Sequence, residues 1–230
     1  MTPGGFAAAY GINDTGRIVG SAENSDGLWQ AVRWQRDVAS GSLTGPFVLP
    51  GVPAGWEAEA YAVNADDTIA GELIDGEGIS HAVIWQLNGA SYVRVDLTGF
   101  AAFAHSLALD LNSPAVGDPL VVAGEVGDDG LSALTQAVQW SVDMTTVPAT
   151  VTASANLGVA GKSSSAAAVN AAGRTAGWEE SATGISQAAT WDGLSPAAIL
   201  TASDSQAFDI NVNNLVVGRS GELGFVKLAN

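Results

Sequence analysis

A five-fold internal repeat constrains this chain more than any other feature. Asparagine recurs at Asn13, Asn64, Asn112, Asn170 and Asn211, at spacings of 51, 48, 58 and 41 residues. Each is preceded by an aliphatic residue (Ile12, Val63, Leu111, Val169, Ile210), and alanine stands four positions upstream every time (Ala9, Ala60, Ala108, Ala166, Ala207). Seven residues after the asparagine comes glycine at Gly20, Gly71, Gly177 and Gly218; the third copy reaches Gly124 after a five-residue insertion. Self-similarity at this period marks arrays of small units, none of which can bury its own faces alone.

A third segment closes each unit: QAVRW (Gln30 to Trp34), HAVIW (His81 to Trp85), QAVQW (Gln136 to Trp140) and QAATW (Gln187 to Trp191), with GFVKL (Gly224 to Leu228) as the fifth copy. Period-two alternation puts Val and Trp on one face and Ala with a variable residue on the other. The tryptophans Trp34, Trp85, Trp140 and Trp191 therefore read as packing between units. Between the first two segments run NDTG, NADD, NAAG and NVNN, where the leading Asn can bond backbone two residues on and Gly, Asn or Asp tolerates positive φ. Gln30, His81, Gln136 and Gln187 form a polar series that reads as amides bridging neighbouring backbones. A looser segment, such as Tyr92 to Leu97, supplies a fourth, outer strand.

Glycine interrupts every window long enough for a helix, so the chain reads as all-β: a five-bladed β-propeller built from five diverged repeats. The repeats span approximately residues 6–50, 57–98, 104–158, 163–201 and 204–230 of one domain. Neither end of the chain readily provides an outer strand for the fifth unit. Its edge at Gly224 to Leu228 is then either covered by Met1 to Phe6, left to pair with another molecule, or closed by the missing end of a longer protein.

The repeat resembles the HAF repeat, a bacterial extracellular repeat family whose unit runs A-x-x-I-N-x-x-G-x-x-V-G, a variable loop, then H-A-F-x-W. His81-Ala82-Val83-Ile84-Trp85 departs from that ending at one position, Val for Phe. The resemblance covers nearly the whole chain. It implies an exported, propeller-like protein displayed outside the cell, and it implies no particular chemistry. No basic, apolar leader is visible at the start of the chain.

Composition narrows the partners. Eight Lys and Arg stand against 24 Asp and Glu, a formal charge of −16, which disfavours any nucleic acid because backbone binding needs clustered cations. No apolar run is long enough for a membrane-spanning helix. With no cysteine there is no disulfide, thiolate nucleophile or zinc–thiolate site.

Three leads remain for function. Trp29, Trp56 and Trp178 depart from the repeat, and exposed rings stack on sugars or anchor protein partners. Asp110 and Asp209 share one position two before the repeat Asn and are expected to face the central channel. There they would be the carboxylate pair of a glycoside hydrolase, though no third acid accompanies them. Acidic runs at Asp66-Asp67, Asp75-Gly76-Glu77 and Asp128-Asp129-Gly130 raise calcium, but none has the spacing of a dedicated loop. The sequence therefore reads first as a non-enzymatic module binding a carbohydrate or protein. A self-assembling repeat protein using its open edge is the alternative, with the hydrolase behind it.

Overall fold

The computed structural model describes residues 5–128, 134–195 and 197–229, and among them every regular element is a strand. The first antiparallel sheet comprises β1 (Ala7–Ile12), β2 (Arg17–Glu23), β3 (Trp29–Arg36) and β4 (Leu43–Val48), hydrogen-bonded in chain order. The second comprises β5 (Glu57–Val63), β6 (Ile69–Ile74), β7 (Ser80–Asn88) and β8 (Ser91–Asp96). The third is β9 (His105–Leu111), β10 (Leu120–Gly127), β11 (Thr135–Asp143) and β12 (Thr150–Asn156). The fourth is β13 (Ser164–Val169), β14 (Arg174–Glu180), β15 (Ser186–Asp192) and a two-residue outer strand, β16 (Ala198–Ile199). The fifth has three strands, β17 (Ser205–Ile210), β18 (Leu215–Ser220) and β19 (Leu223–Leu228).

Each sheet packs on the next through one apolar cluster. Val83 and Trp85 of the second sheet bury against Val19, Ala31 and Leu49 of the first. Ala82 and Ile84, on its opposite face, join Val122, Val138 and Trp140 of the third. The same arrangement links the third to the fourth through Trp191 and the fourth to the fifth through Phe225. Trp85, Trp140 and Trp191 are wholly buried; the Trp85 and Trp140 indoles donate to Pro50 and Thr98 carbonyls of the preceding linkers, at 2.9 and 3.1 Å.

A bulge in every inner strand explains two of the repeat positions. Pairing skips one residue after the repeat alanine, leaving Tyr10, Tyr61, Leu109, Ala167 and Phe208 without a cross-strand partner. The backbone ahead of that alanine then presses on the facing glycine. A Cβ on Gly71 would lie 2.0 Å from the Glu59 carbonyl oxygen, and the other four repeat glycines meet the same obstruction. Glycine is required here by close approach of backbone.

The repeat asparagines cap their own turns and also do more. Asn64 Oδ1 accepts from Asp66 and Thr68 amides, while its Nδ2 donates to the Asn112 carbonyl at 2.9 Å. Asn13 donates likewise to Asn64, Asn112 to Ala171 and Asn170 to Asn211. At the opposite end of the sheets, Ser106, Ser164 and Ser205 accept from the Ala82, Ala137 and Ala188 amides of the preceding sheet, each at 2.9 Å.

Two sequence expectations need correction. Gln30, Gln136 and His81 bond within their own sheets, to Trp29, Asn156 and Asp75, so the bridging role falls to the serines. In the fifth copy Phe225, not Val226, pairs with the repeat glycine Gly218, so the unit is Leu223 to Lys227 and Lys227 stands where the others have tryptophan. Its ammonium donates to the Leu200 carbonyl, reproducing the indole's bond to a linker. Phe6 exchanges hydrogen bonds with Glu23 of β2, and the rest of the segment expected at the β19 edge, residues 1–4, lies outside the described residues.

The stack is not closed. No apolar cluster joins the fifth sheet to the first among the described residues. Ile12 is 63% exposed, whereas its counterparts Leu111, Val169 and Ile210 are 5–6% exposed under the preceding sheet. Leu215, Val217, Val226 and Leu228 likewise stand exposed on the far face of the fifth sheet.

The asparagine relay predicts unequal costs. Asn64→Ala removes two turn caps and a buried link between sheets and should cost about 3 kcal/mol; Asn211→Ala removes turn caps alone and should cost about 1 kcal/mol. Urea denaturation of both variants checks this, and equal losses would reduce the asparagine to a turn residue.

Candidate functional site

One cavity of about 280 Å³ opens between the second and third sheets, bounded by Pro53, Trp56, His81, Arg94, Asp96 and Ser106 among others. Trp56 lies in the turn entering β5, half-buried, and its ring stacks on the His81 imidazole with centroids 5.3 Å apart and planes 20° apart. His81 is held from behind by Asp75, Nε2 to Oδ2 at 3.1 Å. Asp75 Oδ1 in turn accepts the Ile79 and Glu77 amides. Those turn amides, with His81, hold the Asp75 carboxyl below its ordinary value. The Asp75-Gly76-Glu77 run is thereby a turn that orients a histidine. Asp67 is similarly engaged, by Arg17 and Asn13 at 2.8 Å each, while Asp129 and Gly130 lie outside the described residues.

Arg94 and Asp96 share one face of β8 because strand side chains alternate. Their fork is two-pronged, Nε to Oδ1 at 2.9 Å and Nη2 to Oδ2 at 3.2 Å, and Arg94 also donates to the Gly51 carbonyl. The wall therefore offers a stacked pair of flat rings, a guanidinium, a carboxylate that is 56% exposed and the Ser106 hydroxyl. Planar apolar surface beside fixed donors and acceptors is the usual make-up of a small-molecule site.

The other two off-repeat tryptophans are elsewhere. Trp29 begins β3, where its amide donates to Glu57 at 2.9 Å, and Trp178 lies in β14 of the fourth sheet. All three rings are half-buried, and among the described residues no ring pairing joins any two of them. Sequence reasoning singled out Trp56 but missed Arg94 and Asp96. The available signal was the i, i+2 Arg–Asp pair in the outer strand of the second unit alone.

A second cavity of about 420 Å³ runs along the axis and draws lining residues from all five inner strands. The five bulged residues line it, as do Asp110 and Asp209. No third carboxylate lines it among the described residues. Sequence reasoning saw the two aspartates but missed the three aromatic rings, Tyr10, Tyr61 and Phe208, because a bulge leaves no mark in residue type. Burial pushes the Asp110 carboxyl up to about 7; the nearby Asp209 charge adds to this, and the Val169 and Leu111 amides oppose it.

No family model and no curated protein matches this sequence. Among solved structures, an arginine-to-alanine triple mutant of AofleA from Arthrobotrys oligospora aligns over 98% of this chain and 71% of its own. Its identity is 14% and its TM-score 0.47. A mutant of Aleuria aurantia lectin in complex with alpha-methyl-L-fucoside aligns over 98% of this chain and 79% of its own, at 11% identity and the same TM-score of 0.47.

The Asp110 shift has a sign that can be checked. Its pKa is raised on folding, so its contribution to stability is present below about pH 4 and lost as pH rises toward 7. Asp110→Asn keeps an acceptor for the Val169 amide and removes the charge. It should raise stability by about 2 kcal/mol at pH 8, less than the full shift implies because solvent in the cavity screens the charge, and by little at pH 4. Chemical denaturation at the two pH values reads the difference.

Proposed function

We propose that the five sheets are the blades of a single propeller of the HAF-repeat type, displayed outside the cell, and that it is a non-enzymatic module binding carbohydrate. The observation that carries this is the Trp56 cavity. A sugar ring has an apolar C–H face and a rim of hydroxyls. The first suits the indole and the second suits a guanidinium–carboxylate pair, whose planar groups each reach two adjacent hydroxyls. Asp96 is exposed enough to exchange water for a ligand hydroxyl without breaking its bond to Arg94. Among the described residues no helix is long and apolar enough to cross a membrane.

A second reading, self-assembly, is favoured by the far face of the fifth sheet. Leu215, Val217, Val226 and Leu228 occupy positions that hold Thr68, Ala70, Ile84 and Gln86 in the second sheet and Arg174, Ala176, Thr190 and Asp192 in the fourth. An all-aliphatic row at the end of the stack, beside the edge of β19 that pairs with no further strand among the described residues, suits a partner sheet. Light scattering over a concentration series separates the readings, since a particle that stays monomeric at high concentration removes this one.

The carbohydrate reading is tested by a glycan array followed by titration calorimetry on the best hit. Trp56→Ala should weaken binding about 30-fold, as loss of a central aromatic anchor does, and Asp96→Ala about tenfold. Asp96 carries no packing, so its variant keeps the melting temperature of the parent. Unchanged affinity in both variants would remove the site.

A further inference from the structure

We propose that the axial cavity is a separate binding site for an organic cation, specifically a protonated amine on an aliphatic chain. The bulge that follows each repeat alanine turns Tyr10, Tyr61 and Phe208 to the axis, so aromatic surface lines the cavity at three of its five positions. The Tyr10 and Tyr61 rings lie 5.7 Å apart, tilted by 52°. Asp110 and Asp209 share the lining, and no Lys, Arg or His does among the described residues. Backbone amides orient both carboxylates, Val169 to Asp110 at 2.8 Å and Ile210 to Asp209 at 2.7 Å.

The groups behind the lining reinforce its sign. The Tyr61 hydroxyl donates to Glu72, which enriches the ring it belongs to. Glu72 is 5% exposed, and its second oxygen has no hydrogen-bond partner. Glu59 faces Glu72 across β5 and β6, and burial raises its carboxyl, as it does that of Glu125. A cavity walled by ring faces and carboxylates, with no positive charge of its own, is complementary to a cation that tolerates desolvation.

The chemistry selects among cations. A hard metal ion needs six to eight oxygens, and no group of three Asp, Glu or His side chains could hold one among the described residues. An alkylammonium needs two or three acceptors for its head, ring faces around it and an apolar path for its chain. Ile12 and Val63 supply that path, because both also line a second space of about 340 Å³ at the asparagine end of the axis. Asp14 lies there to meet a second ammonium.

Titration calorimetry of the protein with butane-1,4-diamine at low ionic strength tests this, with butane-1,4-diol as the uncharged control. Saturable one-to-one binding of the diamine and none of the diol is expected. Asp110→Asn should weaken the diamine about tenfold. Phe208→Ala, at an exposed position that no packing depends on, should weaken it about threefold. Asp26→Asn, an equal charge change on a distant exposed turn, should leave it unchanged. Absence of saturation, equal binding of the diol, or equal weakening by Asp26→Asn and Asp110→Asn would overturn the proposal; the last would reduce it to diffuse attraction by a chain of charge −16.

Discussion

The asparagine side chain at the end of each inner strand holds this structure together in two directions at once. Its oxygen satisfies the amides of its own turn, and its NH₂ reaches the carbonyl where the next sheet begins to turn. A β-turn between two strands needs only the first of these, and serine or aspartate could supply it. Only an amide offers an acceptor and a donor on the same planar group, so the second bond explains why asparagine stands at the four positions that are followed by another sheet. The relay fixes the distance between sheets at the axis. The buried tryptophans and linker leucines then fill the space that opens further out.

The bulge follows from the same constraint. To aim asparagine at its neighbour, the inner strand must rotate its last residues relative to the pairing partner, and one extra residue achieves the rotation. Its cost is a backbone carbonyl thrust at the opposite strand, which only glycine can receive. Its benefit is a freely chosen side chain aimed at the axis. Tyr, Tyr, Leu, Ala and Phe occupy those five places, and the lack of common residue type marks them as positions set by the cavity and not by the fold.

What the sequence disclosed and what it hid divide along this line. The repeat asparagine, glycine and tryptophan were legible because each recurs at one place in successive copies, although Trp34, in the first sheet, is half-buried where Trp85, Trp140 and Trp191 are fully buried. The serine bridges were not, because Ser106, Ser164 and Ser205 have alanines, Ala7 and Ala58, at the matching positions of the first two copies. The register of the fifth copy is hidden for a different reason. Its last hairpin is tightened to Gly221 and Glu222, and Lys227 replaces the indole by its donor and not by its shape. Residue-type matching cannot see that equivalence, whereas the hydrogen bond to the preceding linker shows it. The Trp56 cavity was half legible: the aromatic stood out against the repeat, but Arg94 and Asp96 gained meaning only once β8 brought them beside His81.

The two ends of the stack are the clearest statement of how the array works. Asn211 has the donor that elsewhere binds the next sheet, and Asn13 has the carbonyl that elsewhere receives it; neither is so engaged among the described residues. Ile12 is bared where Leu111, Val169 and Ile210 are covered, and four aliphatic side chains of the fifth sheet face outward. In a one-dimensional stack the terminal units lack one interface each, so their stability is lower than that of the interior by roughly one nearest-neighbour term. The second, third and fourth sheets, each packed on both faces, are then the last to open. Amide exchange should register that order directly, with protection greatest in β6, β10 and β14 and least in β1 and β19. The cavity at Trp56 sits between two of these interior sheets, away from the ends that open first, where a ligand loses least to ordering its host.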